Sequence, residues 1–202
     1  MARPVNDPSE AQAIRRALYV LFARLFAAPP DAAFYERLRT GAFASLAAAQ
    51  GLDLTSDLCD EDDAESSVAE LQAEYDRLFA EVSLRASDYP GATGDPVAAL
   101  AAFLREHALR LEDGAGLPTD HLSVALGTMG ALADPAAASN GGAPERAAAS
   151  RTRERAFLLR HLVPWSQTAL AEVAAKADRR FYRSLAAMVS AFLESERRLL
   201  AG

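Results

Sequence analysis

Apolar residues recur along this chain at helical spacing. Ile14, Leu18, Leu21, Phe22, Leu25 and Phe26 fall on one face of a first helix. Ser9 is placed to cap it, with Gln12 completing a capping box. Pro29 and Pro30 stop that helix. Asp31 restarts a short one carrying Phe34 and Leu38, and a third is expected from Phe43 to Gln50. After an acidic connection over 52–67, Val68, Leu71, Tyr75, Leu78, Phe79 and Val82 mark the clearest stripe in the chain.

An irregular segment, Ser83 to Asp95, comes next. Asp95-Pro96 starts a helix whose stripe is Val97, Leu100, Leu104, His107, Ala108 and Leu111. Asp120 is placed to start another, with Leu122, Leu126 and Met129 facing inward. Residues 133–150 are low in complexity and read as a flexible connection whose later part can already be helical. A helix through Arg155 to Leu162 is broken or restarted at Pro164, with Trp165 locking the corner. The last long helix carries Phe181, Leu185, Met188, Phe192 and Leu199. No alternation typical of strands occurs. Residues 1–202 therefore read as one all-α domain, a bundle of roughly seven to nine helices.

Composition narrows the function. A net charge of −7 repels a phosphate backbone and disfavours nucleic acid as a partner. It suits a basic peptide or a basic protein patch. The single cysteine, Cys59, excludes an internal disulfide and a cysteine-based zinc site. The apolar run Ala17 to Ala23 is too short to span a membrane, so no stable membrane insertion is expected. The first residues carry no leader-like apolar run, and a cytoplasmic location is expected.

Three chemistries can be weighed. Asp60, Asp62 and Asp63 in "CDEDDAE" resemble the magnesium-binding clusters of all-α isoprenoid enzymes, but no second acidic cluster faces them, and a solvated loop explains them as well. A helical ligand-binding regulator would need a basic DNA-reading helix, and no such pattern is evident. The histidines, His107, His121 and His161, do not complete a nucleophilic triad, and there is no phosphate-binding glycine loop. No cofactor and no metal is expected, and an enzyme is not. What remains is "PTDH". Asp120 can cap a helix or meet a partner, and the helix dipole disfavours a charged His121 beside it.

Read together, "EYDRLF" (Glu74 to Phe79), "SDY" (Ser87 to Tyr89), "PTDH" (Pro118 to His121), "HLVPW" (His161 to Trp165) and "FYRSLA" (Phe181 to Ala186) resemble the TorD/DmsD/NarJ family of redox-enzyme maturation chaperones. The Pro-x-Asp-His form is closest to the TorD and DmsD branch. The chain departs from the pattern in "AEVS" after Leu-Phe, in Ala125-Leu126 after Pro-x-Asp-His, and in lacking a tryptophan before Ser-x-Tyr.

The resemblance implies a protein that binds the twin-arginine signal peptide and the apo form of a molybdenum oxidoreductase, assists cofactor insertion and delays export. It implies Ser87, Tyr89, Asp120 and His121 as client-binding residues. Charge adds Asp88 beside Asp120 as a partner for arginine, with Glu81 less favoured. Leu122 and Leu126 could line an apolar groove or pack internally. The assembly is expected to be a monomer or, through 133–150, a helix-swapped dimer.

Overall fold

The computed structural model describes residues 8–41, 43, 64–92, 94–109, 116–134 and 144–201. Among them are eight α-helices: α1 (Pro8–Ala27), α2 (Ala32–Arg39), α3 (Ala64–Glu81), α4 (Pro96–Glu106), α5 (Leu122–Leu132), α6 (Pro144–Phe157), α7 (Val163–Lys176) and α8 (Arg180–Ala201). A π-turn, Leu158–Leu162, fuses α6 and α7 into one rod, so the described residues form seven separate rods. There is no strand among the described residues; one isolated antiparallel bridge joins Arg85 and His121.

Sequence pattern accounts for most of these boundaries. Asp31 accepts a hydrogen bond from the Phe34 amide and starts α2, and Asp95 does the same for Ala98 and α4, where Pro96 occupies the first turn. α1 runs from Pro8, the first described residue, and Ser9 falls within it. α4 ends earlier than its apolar stripe suggests. His107 closes it and Ala108 turns to φ 50°, while Leu111 and most of the 43–50 segment lie outside the described residues. The acidic stretch 52–67 ends in the first turn of α3, and the 133–150 connection ends in α6; the parts at 52–63 and 135–143 lie outside the described residues.

The core forms where α1 packs along α5 and α7 packs along α8. The stripe residues Leu18, Phe22, Leu25 and Phe26 are fully buried, as are Leu122, Leu126 and Met129 opposite. Gly130 brings α5 close to α1: a Cβ there would lie 3.2 Å from a Val20 methyl. Leu199 does not join the core; it is exposed, and Leu200 is buried in its place.

A buried ionic cluster pins the fused rod to the rest. Arg15 of α1 donates from Nε to Glu196 of α8 at 2.8 Å and from Nη2 to Glu154 of α6 at 2.9 Å. Tyr19 donates its hydroxyl to Glu196 at 3.0 Å. With all three charges buried, each depends on the others, because an unpaired ion here would be strongly penalised. Glu74, from the "EYDRLF" stretch, is also buried. It accepts the Arg179 amide at 2.7 Å and so caps the start of α8.

Candidate functional site

The segment after α3 is rich in turn formers and folds back on itself. The Ser83 hydroxyl accepts from the Arg85 amide at 3.1 Å and donates to Asp88. A short 3-10 turn, Ala86–Asp88, follows. This turn is fastened to the segment entering α5 by two backbone bonds, Ala86 N–H to Asp120 O at 2.9 Å and Leu122 N–H to Leu84 O at 2.8 Å.

Asp120 is the centre of that junction. Its carboxylate is fully buried and accepts from the Ser87 amide at 3.1 Å and from Arg85 Nε at 3.2 Å. The sequence assigns helix capping to Asp120, and the structure moves that role one residue on. The N-cap is His121, whose Nδ1 accepts from the Ser123 amide at 3.2 Å. Asp120 does not cap because better donors reach it from the 85–88 turn. Burial acts to raise the Asp120 pKa, but the hydrogen bonds from Ser87 and Arg85 outweigh it and hold the carboxyl below its ordinary value. Burial lowers His121 to about 4, with Asp120 opposing and Arg85 adding to the fall. A neutral ring is what capping through Nδ1 requires.

The second wall comes from the fused rod. Pro164 has no amide hydrogen, and its ring crowds the carbonyl four residues back. The chain does not break there. It widens into the π-turn, with the Val163 amide bonded to Leu158 O. Of the two outcomes expected at Pro164, break or restart, the chain takes the restart: α7 begins at Val163 with Pro164 in its first turn, and Leu159, Arg160 and His161 of the π-turn line the same cleft as Ala86 and Ala92.

Trp165 is buried, donates from Nε1 to His161 O at 2.8 Å, and stacks on Tyr89 with ring centroids 6.0 Å apart. Tyr89 donates its hydroxyl to Ser83 O at 2.7 Å, and Glu172 Oε2 lies within 3.3 Å of the same hydroxyl. At Gly91 the loop backbone rests on the rod: a Cβ there would lie 1.8 Å from Pro164 O, so no side chain fits.

Between these walls lies a cleft of about 490 Å³. Its lining is mainly apolar: Ala86 and Ala92 from the loop, Pro96 and Leu100 from α4, Leu159 and Trp165 from the rod. Asp120 stands in one wall, and Arg160 and His161 in the other. Burial lowers the His161 pKa, and Arg160 adds to that fall. The volume is within the range of ligand sites and takes a few side chains, not a whole helix.

Of the client-binding residues expected from the sequence, only Asp120 is among those lining the cleft, which also takes in Pro164 and Trp165 of the "HLVPW" stretch. Ser87 and Asp88 are exposed on the turn beside it, and Tyr89 and His121 are buried supports behind it. Leu122 and Leu126 are not groove residues. Both are fully buried, because the α5 face that carries them packs on α1. Glu81 is exposed and pairs with Arg77 at 3.8 Å. Sequence reading did not assign Leu100, Leu159, Arg160 or Ala92 to a site. A proline set inside an unbroken apolar stripe was the available signal. Asp60, Asp62 and Asp63 lie outside the described residues, and no metal-binding group of side chains occurs among the residues described.

A family model described as "Nitrate reductase delta subunit" matches residues 39–171, about two-thirds of the chain. The chain belongs to this family. Nitrate reductase delta subunit proteins are maturation chaperones for molybdoenzymes. The matched region contains both walls of the cleft, including Arg85, Asp120 and the π-turn, and leaves out α1 and α8. No curated protein matches the chain. No helix among the described residues is long and apolar enough to cross a membrane.

Proposed function

We propose that this family member binds the twin-arginine signal peptide of a molybdenum oxidoreductase in the cleft beside Asp120, holds the apoprotein during cofactor insertion and so delays export. The observation that carries the reading is a buried carboxylate in the wall of an apolar cleft. Such a signal joins a basic stretch to an apolar one. The cleft offers the matching pair of environments: a negative group at Asp120 and apolar surface from Leu100, Leu159 and Trp165. The net charge of −7 draws a basic segment in from a distance. Binding and release form an equilibrium and require no chemistry from the protein. The Pro-x-Asp-His sequence, Pro118 to His121, favours the TorD and DmsD branch, and the client is then a reductase of the dimethyl sulfoxide reductase type.

Calorimetry tests this on the whole chain. A peptide with paired arginines and an apolar run should bind, and the same peptide with both arginines changed to glutamine should bind at least about ten times more weakly, a loss of about 1.4 kcal/mol. Equal binding of the two peptides would remove the proposed arginine recognition.

A further inference from the structure

The carboxylate assigned to the client already has a guanidinium on it. Arg85 is bound to Asp120 through one nitrogen only, Nε at 3.2 Å, and its side chain is 45% exposed while that of Asp120 is 0% exposed. Among the described residues, the Arg85 Nη groups make no hydrogen bond or ion pair. This is a single-point contact, not the two-pronged fork that arginine forms with carboxylate at its strongest.

We infer that Arg85 is a resident occupant of the Asp120 carboxylate, and that a cationic side chain of the client enters the cleft by exchanging with it. The inference rests on the cleft being the client-binding surface. A buried carboxylate left without a cation would be strongly disfavoured, so the empty protein needs one. Arg85 supplies it, yet its head is already half in water and leaves at little cost. As Arg85 swings out into solvent, a client guanidinium in the cleft takes its place on the same carboxylate and can set two donors on it. The buried charge is thus paired before and after the exchange.

The turn does not depend on the Arg85 side chain for its shape. The Ala86 to Asp120 and Leu122 to Leu84 backbone bonds, and the bond from the Ser87 amide to the Asp120 carboxylate, all remain without it. Arg85 thereby sets specificity. An incoming group must outcompete a guanidinium, which a planar, weakly hydrated arginine can do better than a strongly hydrated lysine.

The test is chemical rescue with N-acetylargininamide as the probe, read as thermal midpoint, on the whole chain. R85A should have a lowered midpoint that the probe raises saturably. The wild type, and R85A combined with D120N, should gain little. N-acetyllysinamide should be the poorer rescuer. A folded R85A that the probe does not restore, or restores equally in the D120N background, overturns the inference. If R85A does not fold, R85Q takes its place under the same criterion.

The arginine-paired peptide supplies a second arm. It should bind R85Q at least several-fold more tightly than the wild type, and unchanged or weaker binding by folded R85Q counts against exchange. The two readings fail separately. Rescue of R85A in a protein that ignores the peptide sinks the client reading and leaves the exchange seat standing. Peptide binding without rescue does the reverse.

Discussion

Nε of Arg85 lies 3.2 Å from Oδ1 of Asp120, and the anion is wholly buried while the cation is half in solvent. The pair belongs to a junction that also holds the Ser87 amide, so Asp120 is structural as well as a residue of the cleft wall. Asp120→Ala should therefore destabilise the protein by about 2–3 kcal/mol, because it orphans a buried amide and releases a cation. Asp120→Asn keeps an acceptor for Ser87 and should lose less, about 1 kcal/mol. Urea midpoints of the two variants check the order, and only D120N is suitable for interpreting a loss of peptide binding.

His121 predicts a pH dependence. Its pKa is lowered to about 4 in the folded protein from 6.5, so between these values the unfolded chain binds more protons than the native state. Stability should then rise with pH: it is complete above about pH 6.5 and is lost as the pH falls toward 4, by at most about 3 kcal/mol. Asp120, with a lowered carboxyl pKa, adds a further loss only as the pH falls below its ordinary 3.8. His121→Asn can still cap α5 and should remove the first part of this slope. Denaturant unfolding at pH 5 and pH 7.5 measures it; identical pH slopes in the two proteins would show that His121 is not the titrating group.

The sequence carried the helical class, the caps at Asp31 and Asp95, and the α1 and α5 stripes, because those rest on local periodicity. It carried the importance of Asp120 but not its geometry. Which donors reach a carboxylate depends on a turn some 35 residues away, and no spacing rule reports that. Arg15 was legible only as a charge beside an apolar run; its burial with Glu154 and Glu196 is set by helices far along the chain. Pro164 reads as a break or a restart, and the sequence did not show that the restart would run through a π-turn, which supplies one wall of the cleft.

The buried ionic cluster gives a stability prediction. Arg15→Met leaves Glu154 and Glu196 facing each other without a cation and should cost about 3–5 kcal/mol. Replacing Arg15, Glu154 and Glu196 together with apolar residues of similar volume should recover much of that loss. Thermal unfolding of the single and triple variants decides it, with a mild single variant being the contrary result.

Leu159 separates binding from folding. It is 38% exposed and lines the cleft, unlike the fully buried Leu122 and Leu126. Leu159→Ser should change stability by less than about 1 kcal/mol and weaken the peptide severalfold. Leu126→Ala should do the opposite first, costing about 2–5 kcal/mol through a core cavity. Paired calorimetry and urea titrations distinguish the two; a Leu159 variant with full affinity would place the peptide elsewhere.

Gly91 offers a steric test. Its missing Cβ would overlap Pro164 O at 1.8 Å, so Gly91→Ala must lift the loop from the rod. A destabilisation of about 2 kcal/mol or more is expected, together with weaker peptide binding, since the cleft loses its fixed width. Hydrogen exchange of the Tyr89 amide, which bonds Ala86 O at 3.2 Å, should speed up in that variant and not in Gly127→Ala, where nothing lies near the added carbon and the backbone is helical.

Trp165 is the chain's single tryptophan, and it stands in the cleft wall with one face on Tyr89. The indole emission of this protein therefore comes from one side chain, at the place where a visitor would sit. Its emission wavelength and intensity should respond to occupancy without any label, and a silent indole during saturable peptide binding would point to a different surface.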